Sequence, residues 1–221
     1  MIPEFLHGIA YDEKHRIALT ESGRRMRLLQ KGIREPLLCA ACEHLINTRY
    51  EQPIARVWRT LLPEEIPGNV HLLEGVDYQI FKLFHLSILW RASVARGAEW
   101  SQVSLGSRHE EALRQVLLEG RVPDRIRYPV LGTIFLRPDT RQPATDWIMP
   151  PVSNRFGPAR VYSTMYAGCM WHVVVASHVI VDSSNPFVLS ESGQIGLPVH
   201  DITELPKVDI GRQIRFRSYT Q

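Results

Sequence analysis

Between Ile80 and Val94 the chain is apolar around almost the whole circumference of a helix, and this run constrains the fold more than any other. Ile80, Phe81, Phe84 and Ile88, with Leu83, Leu86 and Leu89 beside them, make a face too wide for a surface helix. Such a face is hidden only near the centre of a core. Lys82, His85 and Arg91 lie inside the run. Ionisable groups at that depth are expensive in lipid, so the run reads as a buried helix and not as a membrane span. Asp77 suits its N-cap, and Gly97 suits its end. His85, alone on an apolar face, predicts a hydrogen-bonded core histidine. A buried Arg91 needs an anionic partner, for which Glu74, Asp77 and Glu99 are the near candidates.

The flanking segments divide by texture. Residues 1–35 are polar, basic and punctuated by Gly23 and Gly32, which predicts loops with short strands or turns. From Cys42 the positions Leu45, Ile46, Tyr50 and Ile54 recur near helical spacing, with Pro53 as a kink. Ser107-Arg108-His109-Glu110 has capping-box form. Leu113, Val116 and Leu117 give that helix its stripe, and Gly120 stops it. Beyond Pro123, the segments 130–136, 159–166, 170–181 and 187–189 are rich in β-branched and aromatic residues. The expected class is therefore α+β, with a mainly antiparallel β region last. Residues 1–125 form a knuckle and helical part, and residues 126–221 a β-rich part.

The composition is that of a globular protein, with 44% apolar and 22% charged residues. The net charge of +3 permits an anionic partner without requiring one. The three cysteines, Cys39, Cys42 and Cys169, do not make a secreted disulfide framework. No basic region followed by an apolar run marks Met1–Phe5 as a leader. The expectation is a soluble cytoplasmic protein.

The sharpest local motif is Leu38-Cys39-Ala40-Ala41-Cys42-Glu43. Two thiolates two residues apart can share one zinc ion, but structural zinc takes four protein ligands, so the pair is half a site. Cys169 and His172 stand three apart in a strand, on opposite faces, which argues against a Cys–His nucleophile.

The run Ile2-Pro3-Glu4-Phe5, then Tyr11-Asp12-Glu13-Lys14-His15-Arg16, Gln30-Lys31-Gly32 and Leu37-Leu38-Cys39-Ala40-Ala41-Cys42-Glu43, resembles an uncharacterised bacterial HNH-endonuclease-like family. The stretches Phe81–Ser93 and Val103–Gly106 extend the resemblance over roughly residues 2–120. In that family the pattern opens with a first Cys-x-x-Cys and Ser-His-Ile-Ile-Pro. The present chain begins inside that phrase, without the first pair or the histidine that serves as general base. Three readings follow: a start that lies upstream, a remnant that binds without cutting, or a knuckle that only staples the fold.

The resemblance implies a nucleic-acid-associated protein, binding DNA or RNA. Cys39 and Cys42 are its structural Zn²⁺ ligands. Glu43 and Asn47 fill the family's two histidine positions and can hold Mg²⁺ or Mn²⁺. Arg24, Arg25, Arg27, Lys31 and Arg34 are the phosphate contacts. If active, it is a metal-dependent phosphodiester hydrolase. A second reading is a non-enzymatic binding or assembly module, a homodimer pooling two cysteine pairs into one four-thiolate zinc site. A third is a hydrolase of another class, using a pocket near His172, His178 or His200.

Overall fold

The structure, a computed structural model, describes residues 2–11, 17–19, 27–29, 35–156, 159–176, 181–182 and 184–207. Its axis is the apolar helix α4, Tyr78–Val94. Asp77 caps it as expected: its carboxylate accepts the Ile80 N–H at 2.9 Å. The end falls earlier than Gly97. Ala95 is already extended, and Gly97 instead leads a single 3-10 turn, Ala98–Trp100. Every residue from Phe81 to Leu89 is buried. Burial of side chains the size of Phe81 or Phe84 contributes about 2–3 kcal/mol each.

The three ionisable groups of α4 each meet a polar partner, which burial demands, although His85 Nε2 has none among the described residues. Lys82 Nζ donates to the carbonyls of Pro123 at 3.2 Å and Asp124 at 2.6 Å, and to the Tyr78 hydroxyl at 3.2 Å. His85 Nδ1 pairs with the Tyr166 hydroxyl at 2.6 Å, which bears out the core-histidine reading. Arg91 meets Glu51 at 2.7 Å, not Glu74, Asp77 or Glu99.

That partner is delivered by a helix irregularity. A continuous helical run comprises α2 (Ala40–Ile46), a π-turn (Asn47–Glu51) and α3 (Gln52–Leu61). Pro53 has no N–H to give the carbonyl of Arg49. The backbone widens there, and the Gln52 N–H reaches back five residues to the Asn47 carbonyl. Tyr50 and Glu51 are thereby turned inward. The Tyr50 hydroxyl donates to the Leu117 carbonyl at 2.6 Å, and Glu51 reaches Arg91.

Helix α5, Ser107–Glu119, ends at left-handed Gly120 as its sequence predicts. The expected capping box is not formed. Gly106 is the N-cap, with φ 76°, and the Glu110 carboxylate takes the Ser93 hydroxyl of α4 instead. An interhelix bond has displaced the local one.

At the N-terminal end, α1 (Glu4–Ala10) was not expected from so polar a stretch, whereas the short strands were. β1 (Ile17–Leu19) pairs antiparallel with β2 (Arg27–Leu29), with Ala18 opposite Leu28.

The main sheet has six strands: β3 (Val70–Leu73), β4 (Val130–Leu136), β5 (Met149–Phe156), β6 (Ala159–Tyr166), β7 (Cys169–Val175) and β8 (Ile195–Asp201). Their order is β3-β8-β4-β7-β6-β5. All pairs are antiparallel except β4 with β8. Residues 187–189, expected as a strand, form turns, with Leu189 giving one hydrogen bond to Val130.

β4 and β7 are buried on both faces. One face, carrying Ile134, Tyr166, Trp171 and Val173, packs on α4 in the large core. The other, carrying Leu131, Phe135, Val161, Met165 and Val174, makes a second core with Val181 and Val188. The large core draws residues from Ile2 to Val199. Gly132 permits Trp171 to cross the sheet there, since a Cβ at that position would stand 2.7 Å from both Trp171 and Leu197. Among the described residues, no helix is long and apolar enough to cross a membrane.

Candidate thiol and metal site

Cys39 is the N-cap of α2, with extended backbone (φ −70°, ψ 158°). Its carbonyl accepts the Glu43 N–H at 2.9 Å and closes the first turn. The helix therefore starts at Ala40, two residues before the expected Cys42. Cys42 becomes the third helical residue, and cap and third position stand over the same end of the turn.

The two thiols sit at the cap and the third position of one helix start. The neighbouring Cys42 N–H and thiol, with the Ala41 N–H, hold the Cys39 pKa below the ordinary thiol value. Cys42 is pushed up by its Cys39 neighbour. Exposed helix N–H groups favour negative charge on an N-cap atom for the same reason.

The pair is also asymmetric in space. Cys39 is exposed and Cys42 half-buried. Behind Cys42 lies a hollow of about 70 Å³ walled by Leu45, Trp90, Leu117 and Arg114. Cys169, by contrast, is fully buried in β7, and burial pushes its thiol far up.

The thiol pair is anchored to the core by a residue that sequence reasoning missed. The Glu35 carboxylate accepts the N–H of Arg96 at 2.9 Å and of Gly97 at 3.0 Å. The segment leading into Cys39 is thus tied to the end of α4. A single surface glutamate in a basic stretch carries no signal of such a contact.

Glu43 and Asn47 lie one turn apart along the same side of the helical run, Glu43 exposed and Asn47 half-buried. The Asn47 N–H is bonded to the carbonyls of Glu43 and His44. Among the described residues, no group of three or more His, Cys, Asp or Glu side chains converges as a metal site. Arg24, Arg25, Lys31 and Arg34 lie outside the described residues. Arg27 is described only as backbone of β2.

The β-region histidines are separated from one another. His172 is buried and pairs through Nδ1 with the Ser163 hydroxyl at 2.8 Å, directly across β6 and β7. Burial holds its pKa down to about 3, so it is neutral. Cys169 faces the large core, away from His172, as the strand spacing predicts. His200 meets Glu204 at 3.0 Å on the surface. His178 lies outside the described residues.

A cleft of about 340 Å³ was invisible in the sequence. It lies between Ile9, Trp58, Leu62 and the segment bearing Gln142, Pro143 and Thr145. Its walls come from distant parts of the chain, so no local motif announces it.

The chain matches no protein-family description, no curated protein and no solved structure.

Proposed function

We propose that this chain is an HNH-like, nucleic-acid-associated protein in which Cys39 and Cys42 supply two thiolates to a structural zinc ion. The observation that carries the reading is the placement of the two free thiols at the cap and the third residue of α2, at one end of the same turn. Two convergent sulfurs suit zinc and meet half of its ordinary tetrahedral set. A bound zinc ion supplies rigidity at that point and no reaction step. Arg24, Arg25, Arg27, Lys31 and Arg34, along the lead-in to the thiols, contact phosphate.

Glu43 and Asn47 are the residues at the family's metal positions, and they offer a carboxylate and an amide oxygen to Mg²⁺ or Mn²⁺. Neither can replace an imidazole base poised near neutral pH. The reading therefore favours binding over cutting. A plasmid-nicking assay with Mg²⁺, Mn²⁺ or Zn²⁺ separates the two. Intact plasmid with wild type and with Glu43→Ala supports binding alone, and nicking that Glu43→Ala abolishes establishes a nuclease.

A second reading is an assembly module, since the pair supplies half of the four ligands that structural zinc takes. Two chains then share one zinc ion through four thiolates. Metal analysis beside native mass measurement distinguishes the cases: one zinc per two chains marks the shared site, and one per monomer marks a site completed within the chain.

A further inference from the structure

The thiol pair has a property beyond metal binding. Cys39 and Cys42 are free, stand at the cap and third position of one helix start, and are unequally accessible. We propose that Cys39 and Cys42 are a redox pair that closes into an intramolecular disulfide by exchange with a low-molecular-weight disulfide, Cys39 attacking and Cys42 resolving.

The geometry assigns the roles. Cys39 is exposed at the N-cap, where an incoming disulfide can approach along the S–S axis. Cys42 is half-buried one turn in, its back covered by Leu45, Trp90 and Leu117. It meets the Cys39 sulfur more readily than it meets a reagent from solvent. Cys169 is sealed in the core and cannot compete. The helical run behind the pair continues from Ala40 to Leu61, so closure leaves the packed part of the run in place.

The chemistry balances in two exchanges. The Cys39 thiolate attacks one sulfur of the reagent, the reagent's S–S bond breaks, and one thiol leaves with its proton. Cys42 then gives up its proton and attacks the Cys39 sulfur. The mixed disulfide breaks and the second reagent thiol leaves. Two protein thiols are oxidised by two electrons, and one disulfide is reduced to two thiols. The product has no thiolate to offer a metal, so disulfide and zinc are exclusive occupants of the same sulfurs. The inference concerns the sulfurs alone and does not depend on nucleic-acid binding.

The test uses the full chain, freed of metal by chelation and checked by metal analysis, then exposed to glutathione disulfide. Intact mass is the readout. Wild type is expected to lose two hydrogens without gaining an adduct. Cys42→Ser is expected to hold one glutathione, mapped to Cys39 by peptide mass. Cys39→Ser is expected to react on the order of tenfold more slowly or less. A wild type that stays reduced, an adduct mapped to Cys42 or Cys169 in wild type, or a Cys39→Ser variant that reacts as fast as wild type, overturns the proposal. Thermal melts of both serine variants confirm folding. Zinc binding measured separately on the reduced chain shows whether the metal reading stands or falls on its own.

Discussion

Removing Arg91 is the most informative single change. Its side chain is 4% exposed and that of Glu51 13%, at 2.7 Å. With charge centres near 4 Å apart, their attraction is about 4 kcal/mol at an effective dielectric of about 20. Desolvation of both groups offsets most of that, so the intact pair contributes little net. Breaking it is another matter. Arg91→Met leaves the Glu51 carboxylate buried without its counter-charge, at a cost of about 3–5 kcal/mol. For a chain of this length that lowers Tm by roughly 6–20 °C. Glu51→Gln strands the guanidinium instead and costs a similar amount. The double variant removes both charges and is expected to recover about 2 kcal/mol relative to the sum of the singles. Urea unfolding followed by fluorescence of the buried Trp58, Trp100 and Trp171 measures all four proteins. Single costs below about 1 kcal/mol, or strictly additive costs, would refute the view that the π-turn exists to deliver Glu51 to Arg91.

Other outcomes follow from the same structure. Gly132→Ala places a methyl group 2.7 Å from Trp171 and Leu197, and is expected to cost about 1–3 kcal/mol by overpacking, read by denaturation. Burial lowers the Lys82 pKa from 10.5 to about 7, so between those values the unfolded chain holds the extra proton. Stability from this group therefore rises with pH above 7, and wild type minus Lys82→Met is expected to show that rise up to about pH 10, the ordinary value of Tyr78. Above it the Tyr78 phenol, pushed up by burial, acts in the opposite sense. His85 and His172, both held down to about 3 from 6.5, destabilise the fold as pH falls below 6.5, each by on the order of 1 kcal/mol per pH unit. His172→Gln is expected to flatten that acid limb, and an unchanged limb contradicts the assignment.

Much of the helical middle was legible because its signals are local. The apolar run names α4, Asp77 its cap and Gly120 the end of α5. β4, β6 and β7 announced themselves through β-branched and aromatic residues. β5 and β8 did not, since Pro150, Pro151, Gly196 and Pro198 read as breakers. β5 tolerates its prolines at the sheet edge. β3 is four residues long and gains its identity from β8. The Arg91 partner lay forty residues away, out of reach of spacing arguments. The failed capping box shows a tertiary contact, Ser93 with Glu110, overriding a good local pattern. At the site, spacing identified the thiol pair. Their unequal exposure and the Glu35 tether came only from the folded chain.

The measurement that reaches furthest is a salt titration of DNA binding by fluorescence anisotropy, on reduced, zinc-loaded protein. Five cations on phosphate give a log–log slope approaching about −4.5 on duplex DNA. Replacing Arg24, Arg25 and Arg27 by Ala is expected to make the slope about 3 units shallower, and Cys39→Ser with Cys42→Ser to weaken binding by loosening the lead-in. Affinity that is absent at low salt, or that ignores both sets of substitutions, would contradict the nucleic-acid account.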